Sequence, residues 1–401
     1  MPIARWSCLA FLVGIGLHSF WLLPTGPLYS SVTVIILILL LILPERRIRI
    51  LALIILSIGI GWVRFEFALP SLSPALRPLD PKAFAYKRGA PQDMFAGQRA
   101  MLTERILKIF PGDPGQLLAG MLYGERGLSN QSKQAFRQAG LTHLVAVSGS
   151  NVSIIVSAVT AVLGWFGWSR RRSFGWLSAV IITFVLFVTP QAPVVRAAIM
   201  GWLVAFAPIV GRLPRASHLL IVSAALFTLW QPSSLLFDPS FALSFLATLG
   251  LMTFGAKLSS ALEGKMPEAI REALCSTVGA TLLTTPYAMW AFGQASAVGL
   301  IANMFAVPLV PWIMGLGALA MVVPIDPLIM SASGFLQAAL LVADIATKLP
   351  GYWGKLEVSA SFLIFSYVSL AIYWWYLKQK QAYPQKSVRR AHVVRQKRHT
   401  K

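Results

Sequence analysis

Charged side chains are scarce in this chain, and acids are scarcer than bases. Asp, Glu, Lys and Arg together make up 12% of 401 residues, with 14 acids against 35 Lys and Arg. A soluble domain carries about 25% charged residues, so this composition excludes an ordinary soluble globular protein. Cysteine is nearly missing: Cys8 and Cys275 lie far apart in sequence, which excludes a disulfide framework and a CxxC redox centre. The five histidines are mostly isolated and give no His/Asp cluster of metal-binding spacing. No GxxxxGK[ST] phosphate loop occurs either. If the protein transports something, the driving force comes from a gradient or from a partner.

What fills the chain instead is hydrocarbon. Hydrophobic residues reach 56% and the mean hydropathy is +0.68. A spanning helix needs roughly 20 mostly apolar residues. Such runs fall at Trp6–Leu23, Ser30–Leu43, Arg49–Val63, His143–Trp168, Ser173–Thr189 and Pro193–Val210. They continue at Ser217–Trp230, Asp238–Ala256, Glu272–Phe292, Ser296–Val323, Pro327–Lys348 and Ser359–Leu377. The fold class read from them is an all-α polytopic integral membrane protein of about 12 transmembrane helices, some broken or kinked around a channel. No small-residue cleavage pattern follows the first run, so it reads as a transmembrane helix and not as a signal peptide.

Lys and Arg are retained in short cytoplasmic loops. Arg46, Arg47 and Arg49, then Arg170, Arg171 and Arg172, then Arg212 and Arg215 with Lys257, Lys265 and Arg271, fall on one side by simple alternation. That side is cytoplasmic, with both termini. The linkers at Pro190-Gln191-Ala192 and Gly293-Gln294-Ala295 fall outside, as does the long polar stretch from Arg64 to about Gly140. The organisation expected is residues 1–66 as N-terminal membrane helices, 67–112 as an extracytoplasmic linker with an amphipathic helix, 113–377 as the main membrane domain and 378–401 as a basic tail.

Within the polar stretch, Pro70 to Pro91 reads as an irregular linker. Phe95, Leu102, Ile106 and Ile109 share one helix face, which lies either in the membrane interface or on the protein's own surface. Asp113-Pro114 reads as an N-cap followed by proline at the first helical position, and Ser129 as the cap of a last short helix ending at Gly140. The tail holds nine Lys or Arg and no acid. It reads as a solvated segment that enforces topology and touches anionic lipid, with nucleic-acid binding as the alternative.

The run from Leu128 to Asn151, LSNQSKQAFRQAGLTHLVAVSGSN, resembles the signature opening the membrane-embedded domain of the ComEC family of competence proteins. Val194 to Met200 resembles the family's V-R-A-x-x-M segment. Phe237 to Phe245 resembles F-D-P-x-F-x-L-S-F, and Phe292-Gly293-Gln294 through Asn303 to Pro308 resembles F-G-x…N-x-x-x-x-P. Together the four blocks cover about Asp113 to Leu349, in family order. The resemblance implies a channel that passes single-stranded DNA from outside into the cytoplasm during natural transformation, in a bacterial cytoplasmic membrane. Implied partners are membrane lipid, a DNA receptor or uptake pilus outside, a helicase-like motor inside, and a separate nuclease. Family members often carry an OB-like domain and a metallo-β-lactamase-like domain. Arg64–Pro111 is short for the first, and no histidine-rich signature of the second follows Leu377, so the expectation is a member with the competence domain only. Ser150-Asn151 stands where many members have Leu-His.

Candidate residues along the DNA path are His143, Ser148, Asn151, Arg196, Asp238 and Asn303; no catalytic residue, cofactor or metal is assigned. An intramembrane arginine costs roughly 2.5–3.5 kcal/mol on insertion scales. Arg196 therefore calls for an anion: a passing phosphate, a fixed acid such as Asp238, or the outer interface. His143 and Ser148 would point about 140° apart on one continuous helix, against a nucleophile–base pair unless Gly149 breaks it, whereas Ser148 and Asn151 share a face. Asp238-Pro239 reads as a helix start, Asn303 as an interhelical hydrogen-bonding residue, and Pro308 with Pro311 as a break. Rival functions are a small-anion or metabolite permease and, less favoured, a membrane-embedded enzyme.

Overall fold

The computed structural model describes residues 2–21, 46–66, 94–145, 147–188, 192–211, 213, 215–377 and 379. The expected span Ser30–Leu43, the Pro70–Pro91 linker and nearly all of the basic tail lie outside them.

Helices dominate because long apolar runs leave the backbone no partner but itself. In chain order they are α1 (Pro2–Trp21), α2 (Arg46–Glu66), α3 (Ala96–Ile109), α4 (Asp113–Tyr123), α5 (Asn130–Gln138), α6 (Thr142–Val145), α7 (Gly149–Trp165), α8 (Arg170–Val188), α9 (Ala192–Phe206), α10 (Ala216–Trp230) and α11 (Ser234–Phe237). Then come α12 (Pro239–Ala261), α13 (Glu268–Phe292), α14 (Val298–Val322), α15 (Asp326–Thr347) and α16 (Ala360–Leu377). A two-residue antiparallel ladder, β1 (Ala295–Ser296) with β2 (Tyr352–Trp353), closes one end of the α14–α15 pair.

Five helices, α8, α12, α14, α15 and α16, are long and apolar enough to cross a membrane, and five shorter apolar helices accompany them among the described residues. The chain is a helical membrane protein. Helix α13, at 25 residues, is not one of the five; its first turns carry Glu268, Arg271 and Glu272.

Two long helices depart from α geometry where the sequence forces it. In α12 a π-helical turn spans Leu251–Gly255, beside the closest approach of α13: a Cβ on Gly250 would lie 2.1 Å from the Gly279 carbonyl oxygen. Small residues let the two backbones touch. In α14 the amide-less Pro308 sits in a 3-10 turn, Val307–Leu309, so the expected break is a local tightening through which the helix continues.

The expected span His143–Trp168 is not one helix. It divides into the single turn α6 and the helix α7, with Ser148 extended at φ −99°, ψ 167° between them. The small polar residues Ser148 and Gly149 supply a helix start in the middle of an apolar run.

The stretch preceding it packs into the body of the protein. Helix α4 lies in the largest core, where Leu117, Leu118, Ala119 and Met121 are fully buried with Phe136, Leu141, Ile313 and Leu336. It packs against α14 and α15. Of the two placements for the amphipathic helix α3, packing on the protein's own surface holds. Ile106 is buried, Leu102 and Ile109 lie against the core, and Phe95 meets Phe187 edge to face at 5.8 Å. Asp113 does not cap α4, whose N-cap is Gly112 at φ 75°. Its carboxylate instead accepts from the Ser129 amide at 2.9 Å, from Ser129 Oγ at 2.6 Å and from Ser132 Oγ. Ser129 caps α5 as expected, accepting from the Ser132 amide.

Candidate functional site

Arg196 occupies the second turn of α9, half-buried, and its guanidinium reaches across to α12. Nε donates to Ser244 Oγ at 2.8 Å and Nη1 donates to Thr248 Oγ1. The guanidinium carbon lies 5.7 Å from the centroid of the Phe245 ring. Ser244 and Thr248 are four residues apart, so one face of α12 presents both hydroxyls. Thr248 in turn donates to the Ser244 carbonyl at 3.0 Å, which fixes its oxygen as an acceptor toward the arginine.

All of these partners are neutral. Among the described residues no carboxylate pairs with Arg196, and Asp238 is not its counter-ion. Asp238 is the N-cap of α12 and accepts from the Ser240 amide at 2.9 Å, with Pro239 at the first helical position. This is the helix start read from the sequence.

The other side of the guanidinium meets the break between α6 and α7. A Cβ placed on Gly149 would lie 2.5 Å from Arg196 Nη2, so any larger residue here would make the tip of the arginine move. Gly149 is the first residue of α7, the positive end of that helix's dipole. An arginine charge and a helix N-terminus thus converge without an acid between them, an arrangement that attracts anions and repels cations.

Two more candidates hold the break in place. Ser148, just outside the start of α7, donates from Oγ to Asn151 Oδ1 at 2.8 Å, and Asn151 Nδ2 donates to the Met121 carbonyl at 2.9 Å. Asn151 is only 1% exposed. It satisfies a carbonyl near the C-terminal end of α4, so it fastens the start of α7 to the core helix.

His143 and Asn303 bond to no member of this cluster. His143 is exposed on α6, and Ser148 turns to Asn151. Asn303 lies on α14, and among the described residues its buried Oδ1 finds no hydrogen-bond partner.

A second convergence was not anticipated from the sequence. Gln294 Oε1 accepts from Arg137 Nε at 2.6 Å and from the Tyr352 hydroxyl at 3.3 Å. Nearby, Ser296 Oγ donates to the Gln138 carbonyl at 2.7 Å. This ties α5 to the α13–α14 turn. Ser244, Phe245, Arg137 and Gln294 all stand inside the four motif blocks, so the blocks were the available signal; Thr248, one turn beyond its block, carried only the helical period.

The model of the competence protein family matches residues 121–381, which contain all four blocks and both convergences. ComE operon protein 3 of Bacillus subtilis (strain 168) is 24% identical over 213 residues, covering 53% of this chain and 27% of that protein. Competence protein ComA of Neisseria gonorrhoeae is 31% identical over 244 residues, covering 54% of this chain and 32% of that protein. The chain thus spans about a third or less of the length of these curated relatives. No solved structure matches it. With the matched residues amounting to well over half of its length, the chain belongs to the competence protein family.

Proposed function

We propose that this protein takes part in competence DNA uptake, as the membrane channel through which single-stranded DNA passes into the cytoplasm. The observation that carries the reading is the Arg196 cluster. Three of the four family blocks meet there, and what they build is an intramembrane cation that no acid among the described residues neutralises. An uncompensated charge in a membrane protein is costly unless its site serves an anion. A sugar–phosphate backbone supplies one anion per nucleotide, and the hydroxyls of Ser244 and Thr248 hold the guanidinium without neutralising it. Recognition of this kind is of charge and shape, not of base sequence.

No chemistry on the DNA is assigned to the chain, so a separate nuclease accounts for loss of the second strand. A DNA receptor or uptake pilus outside and a helicase-like motor inside complete the path. The membrane is the bacterial cytoplasmic membrane, with both termini in the cytoplasm.

The test is transformation of the natural host carrying Arg196→Gln or Arg196→Lys at equal protein abundance. Gln keeps hydrogen-bonding capacity and removes the charge, and transformation should fall at least about tenfold; a counter-ion interaction of about 1.4 kcal/mol corresponds to that factor. Lys keeps the charge and should retain an intermediate frequency. Equal, undiminished transformation with both variants would remove Arg196 from the path.

A further inference from the structure

At the opposite end of α7 from Gly149, the chain turns through Phe166–Ser169 into α8, and the turn carries an unusual surface. Trp165 is 87% exposed, Phe166 59% and Trp176 53%. Their rings form a continuous ladder with Trp168: centroids are 6.1 Å apart for Trp165–Phe166, 5.7 Å for Phe166–Trp168 and 6.1 Å for Trp168–Trp176. Arg170, Arg171 and Arg172 follow at once. All three are exposed, and none pairs with a carboxylate among the described residues.

Position along the membrane follows from helix length. Helices α7 and α8 have 17 and 19 residues. At 1.5 Å per residue that is roughly 25–29 Å, close to the thickness of the hydrocarbon core, about 30 Å. A turn joining two such helices lies at headgroup level, where tryptophan rings are favoured. Phe174 extends the same layer to α9, packing on Trp202 at 5.2 Å and Phe206 at 5.4 Å.

Among the described residues no acid offers these arginines an anion. They stand in the first turn of α8, which has no acid, against the positive end of its dipole. Successive helical residues rotate by about 100°, so the three side chains fan around the axis. A fan of charges above a band of rings matches a plane of negative headgroups; a single nucleic-acid strand would call for charges along one side.

We propose that the α7–α8 turn is a binding site for anionic phospholipid headgroups, with Arg170, Arg171 and Arg172 contacting phosphates and the Trp165–Trp176 ring ladder seated in the interface beneath them. The site is separate from the Arg196 cluster and does not depend on the cargo.

The full chain in neutral detergent, offered phosphatidylglycerol and phosphatidylcholine in competition, reports the site through the lipid retained in native mass spectrometry. The wild type should prefer phosphatidylglycerol. Replacing all three arginines (Arg170→Gln, Arg171→Gln, Arg172→Gln) should lower that preference about tenfold or more, and the corresponding triple lysine variant should keep most of it. An unchanged preference in the glutamine variant overturns the proposal. So does a glutamine variant that loses binding of a short oligodeoxythymidylate while keeping its lipid preference, because the surface would then read nucleic acid. Should the glutamine variant fail to fold, salt on the wild type decides: the preference should weaken as salt rises, and indifference to salt overturns the site.

Discussion

Asn151 shows how a polar residue in an apolar chain is kept. Its amide is buried and divided between the Ser148 hydroxyl and the Met121 carbonyl, so truncation strands a carbonyl in the core. Asn151→Ala should cost about 1–3 kcal/mol, read as a lowered melting temperature in detergent; an unchanged melting temperature would show the bond to be dispensable. Asp113 makes a different prediction. Burial pushes its carboxyl up, but the bonds from Ser129 and Ser132, helped by Lys133, outweigh this and hold it below the usual carboxylate range. A carboxyl lowered in the folded state stabilises above its unfolded value, about 3.9, and that stabilisation is lost as pH falls through the lower folded value. Amide exchange at the start of α5 should therefore accelerate in acid, and Asp113→Asn should show fast exchange with little pH dependence of its own beyond the intrinsic rate. Slow, wild-type exchange in the Asn variant would contradict the assignment. At this scale the sequence was legible where one residue acts locally, as with Ser129 and Asp238. It was silent where the partner comes from a distant segment: Asp113 reads as a cap until α5 folds back on it, and nothing local names Ser244 as the partner of Arg196.

Helix ends on the side read as outer are fastened by basic side chains. Arg64 of α2 donates from Nε to the Leu229 carbonyl at 2.8 Å and from Nη2 to the Trp230 carbonyl at 3.0 Å. Arg99 of α3 donates from Nη1 to the Phe187 carbonyl at 2.6 Å. Each cation meets the negative end of a helix dipole and satisfies carbonyls left over by the last turn. This gives these basic residues a structural use that the loop-charge rule does not supply. Removing one should loosen the end it holds: Arg64→Ala should raise proteolytic or exchange susceptibility at the C-terminus of α10 by a factor of a few, about 1 kcal/mol after allowance for solvent screening, while α8 stays protected. Equal loosening of both helices would point to a global effect instead. Apolar runs located most of these helices, because hydrocarbon length and helical rise fix one another. Apolar length alone ran through the break at Ser148, which only the small polar residues Ser148 to Asn151 and the possible break at Gly149 hinted at, and it missed the core position of α4, whose eleven residues are too few to register as a span.

Across the whole molecule, family blocks scattered from Leu128 to Pro308 close on two places: a positive junction of α7, α9 and α12, and a latch joining α5 to the α13–α14 turn. Between them lies the core around α4, and at the other end of α7 lies the aromatic turn. The junction suits anionic cargo, the latch suits scaffold, and the turn suits the membrane surface. The channel reading depends on DNA crossing where this chain is present and failing to cross where it is not. Fluorescently labelled DNA followed in the natural host, with the gene intact and deleted, measures this directly. The account predicts that the deletion strain accumulates labelled DNA outside the cytoplasmic membrane with none entering the cytoplasm, and that entry returns when the intact chain is restored. Normal cytoplasmic entry in the deletion strain would contradict it.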